Sequence, residues 1–256
     1  MKPIAATVGA PCWVELGTDD VAQSRRFYGD LFGWTVETDP REEAGGYTMC
    51  SLAGVPVAAM SPLYAPGQPV AWTVSFAVAD ADTTAVRAGE QGGTLIMAPL
   101  DVFDLGRFSV LRDPAGAVFC IWQPRAFQGF GRWDEPNAAG WVELATRDVP
   151  AATAFYRQVF GWSVSADGYP HLSAGDRKFG GVRELDSTRT PADVPSHWLL
   201  YFRTEDIAAA VAKATSLGAQ TLMGPVEMPG TRRVAVLRDP QGAMFALYQA
   251  LYQAVR

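Results

Sequence analysis

The chain has 256 residues, enough for two domains of ordinary size, each able to bury its own core. Its 48% apolar content is that of a soluble globular protein, and no apolar run is long enough to span a bilayer. The formal net charge of −6, with no basic run, counts against nucleic acid, because gripping phosphates needs a basic face.

The N-terminal stretch carries one Lys and is broken by Gly9 and Pro11, unlike a secretory signal. Residues 12–18 alternate, with Val14 and Leu16 on one side and Trp13, Glu15 and Gly17 on the other, which predicts a strand. Asp19 or Asp20 offers an N-cap, Gln23 suits a capping box, and Val21, Phe27, Tyr28, Leu31 and Phe32 supply a helix that Gly33 can end. Strand candidates follow around 34–38, 47–52 and 55–60. A second unit opens on Trp72, Val74, Phe76 and Val78. Asp80 caps its helix, which runs to about Gly92. Its three strands close near Gln123, after the turn Arg112-Asp113-Pro114-Ala115-Gly116.

Residues 126–140 hold Pro and Gly and show no clean period, so they are predicted to link a first module (1–125) to a second (141–256). The second module repeats the first. Trp13-Val14-Glu15-Leu16, Asp20, Phe27-Tyr28 and Gly33-Trp34 recur at Trp141-Val142-Glu143-Leu144, Asp148, Phe155-Tyr156 and Gly161-Trp162, a constant offset of 128 positions (13 to 141, 27 to 155). The second unit recurs with Trp198, Phe202, Asp206, Gly218, Pro225 and the turn Arg238-Asp239-Pro240-Gln241-Gly242. An offset of 128 shared by so many residue types in the first unit, and of 126 in the second (72 to 198, 112 to 238), indicates internal duplication. The predicted class is α+β, with four βαβββ units arranged as two pairs. The three cysteines, Cys12, Cys50 and Cys120, are odd in number and lack metal-like spacing, which favours free thiols in a reducing cytoplasm.

Four such units in order, with D-(7 residues)-Y in the first helix of each pair and R-D-P-x-G before its last strand, resemble the vicinal oxygen chelate superfamily. That group includes glyoxalase I, extradiol dioxygenases and the bleomycin- and fosfomycin-resistance proteins. The resemblance implies two glyoxalase-like modules, each a cupped sheet. Its metal enzymes place His or Gln on the first strand of a unit and Glu on the last. Here the first-strand position falls on Trp13, Thr73, Trp141 and Leu199, and the closing position on Cys120 and Ala246. Trp and Leu cannot bind a divalent cation, and a lone Cys is more often a small buried residue. No metal or other cofactor is expected, although a divalent metal stays open through a metal-dependent glyoxalase or dioxygenase reading.

Strand parity then predicts what faces the cups. Trp13, Glu15, Cys120 and Trp122 point inward in the first module. Trp141, Glu143, His197, Leu199, Tyr201, Arg203 and Tyr248 do so in the second. Glu15 and Glu143 need partners, with Arg107 and Arg203 as candidates, or else act as a base with a raised pKa. His197 could pair with Glu143 as acid and base, and His171 is the other histidine. The leading expectation is a small aromatic or conjugated ligand held by Trp13, Thr73, Cys120, Trp122, Trp141, Leu199, Tyr201 and Tyr248. The alternative is a metal-independent isomerase, lyase or oxygenase using Glu143, His197 and Glu15. Neither nucleic acid nor membrane is an expected partner, and the chain is expected to be a monomer or homodimer.

Overall fold

The computed structural model describes residues 7–250, except 166, 167, 187, 189, 193 and 229–231. In the first half the elements run β1 (Pro11–Thr18), α1 (Val21–Phe32), β2 (Thr35–Thr38), β3 (Thr48–Leu52), β4 (Val55–Pro62), β5 (Ala71–Ala77), α2 (Ala81–Glu90), β6 (Thr94–Val102), β7 (Gly106–Arg112) and β8 (Val118–Pro124). The second half runs β9 (Ala139–Thr146), α3 (Val149–Phe160), β10 (Ser163–Val164), β11 (His171–Ala174), β12 (Arg177–Glu184), β13 (His197–Arg203), α4 (Ile207–Ser216), β14 (Gln220–Met228), β15 (Arg232–Arg238) and β16 (Met244–Ala250). These are the four βαβββ units. They make two eight-stranded mixed sheets, ordered β2-β3-β4-β1-β5-β8-β7-β6 and β10-β11-β12-β9-β13-β16-β15-β14.

The helix signals act locally, as the sequence requires. Asp20, Asp80, Asp148 and Asp206 each accept a first-turn N–H, and Gly33 and Gly161 close α1 and α3 in the left-handed region at φ 71° and 73°. Gln23 takes part through its backbone N–H to Asp20, at 2.9 Å. The predicted linker ends earlier than expected. Ala138 and Ala139 are fully buried, and the chain already pairs with the end of β13 through Asn137 N–H to Arg203 O (2.7 Å) and Arg203 N–H to Ala138 O (2.9 Å).

By packing, the chain divides into two compact units. One comprises 1–13, 73–130 and 142–199; the other comprises 14–72, 131–141 and 200–256. The core of the first is an aromatic cluster of Phe76, Phe119, Tyr156, Phe160, Trp162 and Trp198, with rings mostly edge-to-face 5–6 Å apart. The second has the equivalent cluster of Tyr28, Phe32, Trp34, Trp72, Phe202 and Phe245.

Within each unit the two signature motifs turn out to be partners. In the unit containing α1, Trp72 Nε1–H donates to Tyr28 Oη (2.9 Å), whose hydroxyl donates to Asp239 Oδ2 (2.9 Å). Asp239 also accepts from the backbone of Gln241 and Ala243. In the other unit Trp198 donates to Tyr156 (3.0 Å), Tyr156 to Asp113 Oδ2 (3.1 Å), and Asp113 accepts from Ala115 and Ala117. The helix tyrosine from one half of the sequence therefore satisfies the turn aspartate from the other half. Burial pushes both aspartates above the ordinary carboxylate range, and the hydrogen bonds oppose that shift.

Candidate functional site

Residues of β1 and β9 alternate between the aromatic cores and the opposite sheet face. Val14, Leu16, Val142 and Leu144 are fully buried, leaving Trp13, Glu15, Trp141 and Glu143 on the opposite face. Parallel pairing determines what each glutamate meets. Glu15 lies beside Ala59 of β4 and Gly17 beside Ser61, so the Ser61 hydroxyl reaches back to donate to Glu15 Oε1 at 2.8 Å. Tyr64 donates to the same oxygen at 3.0 Å, and the Tyr47 hydroxyl bonds the carboxyl as well. Burial of Glu15 raises its pKa, against the opposing effect of these hydroxyls.

The second half keeps the geometry and changes the chemistry. Glu143 lies beside Gly181 of β12 and Ala145 beside Arg183, which puts an arginine where the first half has Ser61. Arg183 Nε–H donates to Glu143 Oε1 at 2.9 Å, and the Tyr169 hydroxyl donates to Oε2 at 2.6 Å. The Tyr169 ring lies across Gly181, where a Cβ would sit 2.1 Å from its hydroxyl oxygen, so only glycine leaves it room. Glu143 is 5% exposed and the Arg183 side chain 43% exposed, an ion pair with one foot in water.

The expected arginine partners are engaged elsewhere. Arg107 pairs with Asp82 and Asp101, and Arg203 with Asp134. The His197 Nδ1 lies 2.9 Å from the Pro195 carbonyl, while Arg183 and Tyr169 hold the Glu143 carboxylate in place of the expected histidine. His171 sits edge-on to Tyr169 at 5.3 Å, with Nδ1 3.4 Å from the Ser165 hydroxyl.

The two equivalent indoles are covered differently. Trp13 is 5% exposed beneath Phe127 (centroids 4.8 Å, edge-to-face) and Phe130 (5.6 Å). Both phenylalanines belong to the predicted linker. The segment is pinned by Phe130 N–H to Cys12 O at 2.8 Å, and a Cβ on Gly129 would fall 2.1 Å from that same oxygen. Trp122 donates from Nε1 to the Phe127 carbonyl at 3.0 Å. Trp141 instead carries the Arg232 guanidinium, 4.5 Å from its ring centroid and 5.4 Å from that of Tyr248. Tyr248 is 1% exposed, and its hydroxyl donates to Asp134 Oδ1. Of the remaining candidates, Cys120, Leu199 and Tyr201 are buried and Thr73 is half-buried. A recess of about 510 Å³ lies along α1 and β2, lined by Arg25, Arg26, Asp30 and Trp34, and holds none of the candidates.

Tyr47, Ser61, Tyr64, Tyr169, Arg183 and Arg232 escaped the sequence reading. One signal existed: Gly46-Tyr47 and Gly168-Tyr169 recur just ahead of β3 and β11.

The positions that the resemblance assigns to the family's metal ligands are Trp13, Thr73, Trp141, Leu199, Cys120 and Ala246. They hold indole, hydroxyl, alkyl and a buried thiol, and among the described residues no three His, Cys, Asp or Glu side chains converge as a ligand set.

Two family descriptions match the chain: the glyoxalase/bleomycin resistance protein/dioxygenase superfamily over residues 138–247, and a glyoxalase-like domain over 13–122. The chain is 38% identical over 260 residues to the anthracycline biosynthesis protein DauV of Streptomyces sp. (strain C5), covering 94% of this chain and 93% of DauV. Among solved structures, the 2,3-dioxygenase LapB from Pseudomonas sp. KL28 superposes with a TM-score of 0.67 at 14% identity, over 97% of this chain and 94% of LapB. The Mn(II)-bound glyoxalase from Novosphingobium aromaticivorans gives 0.66 at 15% identity, over 96% and 84%.

Proposed function

Because this chain belongs to the glyoxalase/bleomycin resistance protein/dioxygenase superfamily, yet has indole, alkyl, hydroxyl and thiol groups at the positions the resemblance assigns to metal ligands, we propose that it binds a small, flat aromatic or conjugated molecule without a metal. The observation that carries this reading is Trp141, at a position the resemblance assigns to a metal ligand, whose ring carries the planar Arg232 guanidinium 4.5 Å from its centroid. The relative DauV adds support, since anthracyclines are fused-ring aromatic compounds of the expected kind. Polar orientation would come from the sheet-face carboxylates and their tyrosines, and the outcome would be sequestration or handling of the compound.

The test is titration of chelator-treated protein with a panel of flat aromatic compounds, read by tryptophan fluorescence. A saturable change with at least one of them, unaltered by EDTA, is expected. No saturable response to any, or binding that requires stoichiometric Mn, Fe, Ni or Zn, would overturn the reading.

A second reading, proton transfer on the bound molecule, is favoured by Glu15. Its carboxyl is pushed upward by burial and lies within 3.0 Å of two hydroxyls, a setting suited to an acid/base group. Glu15→Gln would then abolish turnover while leaving binding intact, and unchanged turnover would remove the idea.

A further inference from the structure

We infer that Trp141, Tyr248 and Arg232 form a seat for a planar aromatic ligand bearing an anionic oxygen, with the Arg232 side chain holding the ligand's place until it arrives. This rests on the binding reading above, and adds the location and the charge of the ligand.

Two walls of the seat are fixed. Trp141 is 7% exposed on β9. Tyr248 is tied through its hydroxyl to Asp134, whose backbone carbonyl accepts from Arg203 Nη1 at 2.5 Å. The Tyr248 hydroxyl also fills the space beside Gly140, where a Cβ would lie 2.1 Å from it. Arg232 is the movable part. It is half-exposed, it is the first residue of β15, and its cross-strand partner is the small Ala250. Its guanidinium is flat, weakly hydrated and stacks on aromatic faces, so it covers the rings as a π-system would. A ligand ring sliding onto Trp141 replaces one stacking contact with another of similar strength. The released guanidinium can then close over the ligand or pair with an oxygen at its edge.

Charge selects the ligand. Arg203 is already paired with Asp134, whereas among the described residues the Arg232 guanidinium rests on rings and on no carboxylate, which leaves its charge for a carboxylate or phenolate on the ligand. Trp13 offers no such seat. Its cover is two phenyl rings on a segment pinned by a backbone hydrogen bond and by a glycine without room for a Cβ, so clearing it means unpacking the segment.

Calorimetric titration with 9,10-anthraquinone-2-carboxylate and its neutral 2-hydroxymethyl counterpart separates these claims. Wild type should bind the carboxylate about tenfold more tightly, the scale of one charge-assisted hydrogen bond. Arg232→Met, which keeps the stem and removes the charge, should erase that preference while still binding the neutral compound. Trp141→Phe should weaken both several-fold, and Trp13→Phe should weaken neither. Circular dichroism confirms folding, and should Trp141→Phe misfold, the half-exposed Arg232 variant decides alone. An anion preference that survives Arg232→Met, or a Trp13→Phe loss equal to that of Trp141→Phe, overturns the seat while leaving ligand binding standing. Absence of binding of both tricycles by wild type overturns the seat, and the panel titration above then decides the binding reading.

Discussion

Tyr28→Phe removes one oxygen from a fully buried chain of donors, and its consequence can be worked from the geometry. The hydroxyl gives a 2.9 Å bond to the Asp239 carboxyl and accepts a 2.9 Å bond from Trp72. A hydrogen bond to an ionised acceptor is worth about 1.5–3 kcal/mol, and a buried indole N–H left without a partner costs roughly 1–3 kcal/mol more. Asp239 keeps its bonds from Gln241 and Ala243, which limits the damage, so we expect a loss of about 3 kcal/mol. At roughly 2–4 °C per kcal/mol for a chain of this size, Tm should fall by about 6–12 °C.

The pH dependence follows from the carboxyl. Burial raises the folded-state pKa of Asp239 and the Tyr28 bond lowers it, so the variant's pKa lies higher than that of wild type. A group whose folded pKa is raised contributes stability that is present below its unfolded pKa and lost as pH rises through the folded value. Tyr28→Phe should therefore cost more at pH 8 than at pH 4. Urea unfolding followed by far-UV circular dichroism at both values measures this. A loss under about 0.5 kcal/mol, or one equal at the two pH values, would refute the relay as a source of stability. Tyr156→Phe should behave alike through Asp113 and Trp198.

Three further outcomes are expected. Gly181→Ala should drive the Tyr169 ring off Glu143 and destabilise by about 1–3 kcal/mol, the usual cost of overpacking, and denaturant midpoints check it; a neutral effect would mean the ring has somewhere else to go. Glu15→Gln should gain on wild type as pH climbs from 4.5, because the buried carboxyl has a raised pKa and loses stability over that range; parallel stability curves for the two proteins would contradict it. The three buried thiols should resist Ellman's reagent in the native protein at pH 8 and all react in urea, as burial pushes the Cys50 thiol up to about 12 and that of Cys12 higher still. Rapid labelling of any of them without denaturant would show that their strands open locally.

The duplication, the four helix caps and the strand parity could all be read from the sequence because each depends on neighbours a few residues away. An Asp accepts the N–H groups of its own first turn, and Val14 and Trp13 take opposite faces whatever the rest of the chain does. The same logic failed for contacts. Arg107 and Arg203 were plausible partners for the sheet glutamates by charge alone, yet Asp82 and Asp134 hold them, and Arg183 reaches Glu143 because of the β9–β12 register. Phe127 and Phe130 looked like linker by their Gly-rich surroundings and became the cover over Trp13.

The sequence alone determined four βαβββ units and their caps, since those are matters of residue identity and short-range geometry. Only the tertiary structure decided that Tyr28 meets Asp239 across 211 positions, that Glu15 lies among hydroxyls while Glu143 meets an arginine, and that one indole is sealed and the other capped by a guanidinium. The physical reason is that a side chain's partner depends on strand register and on packing between distant segments, neither of which leaves a periodic mark in the chain.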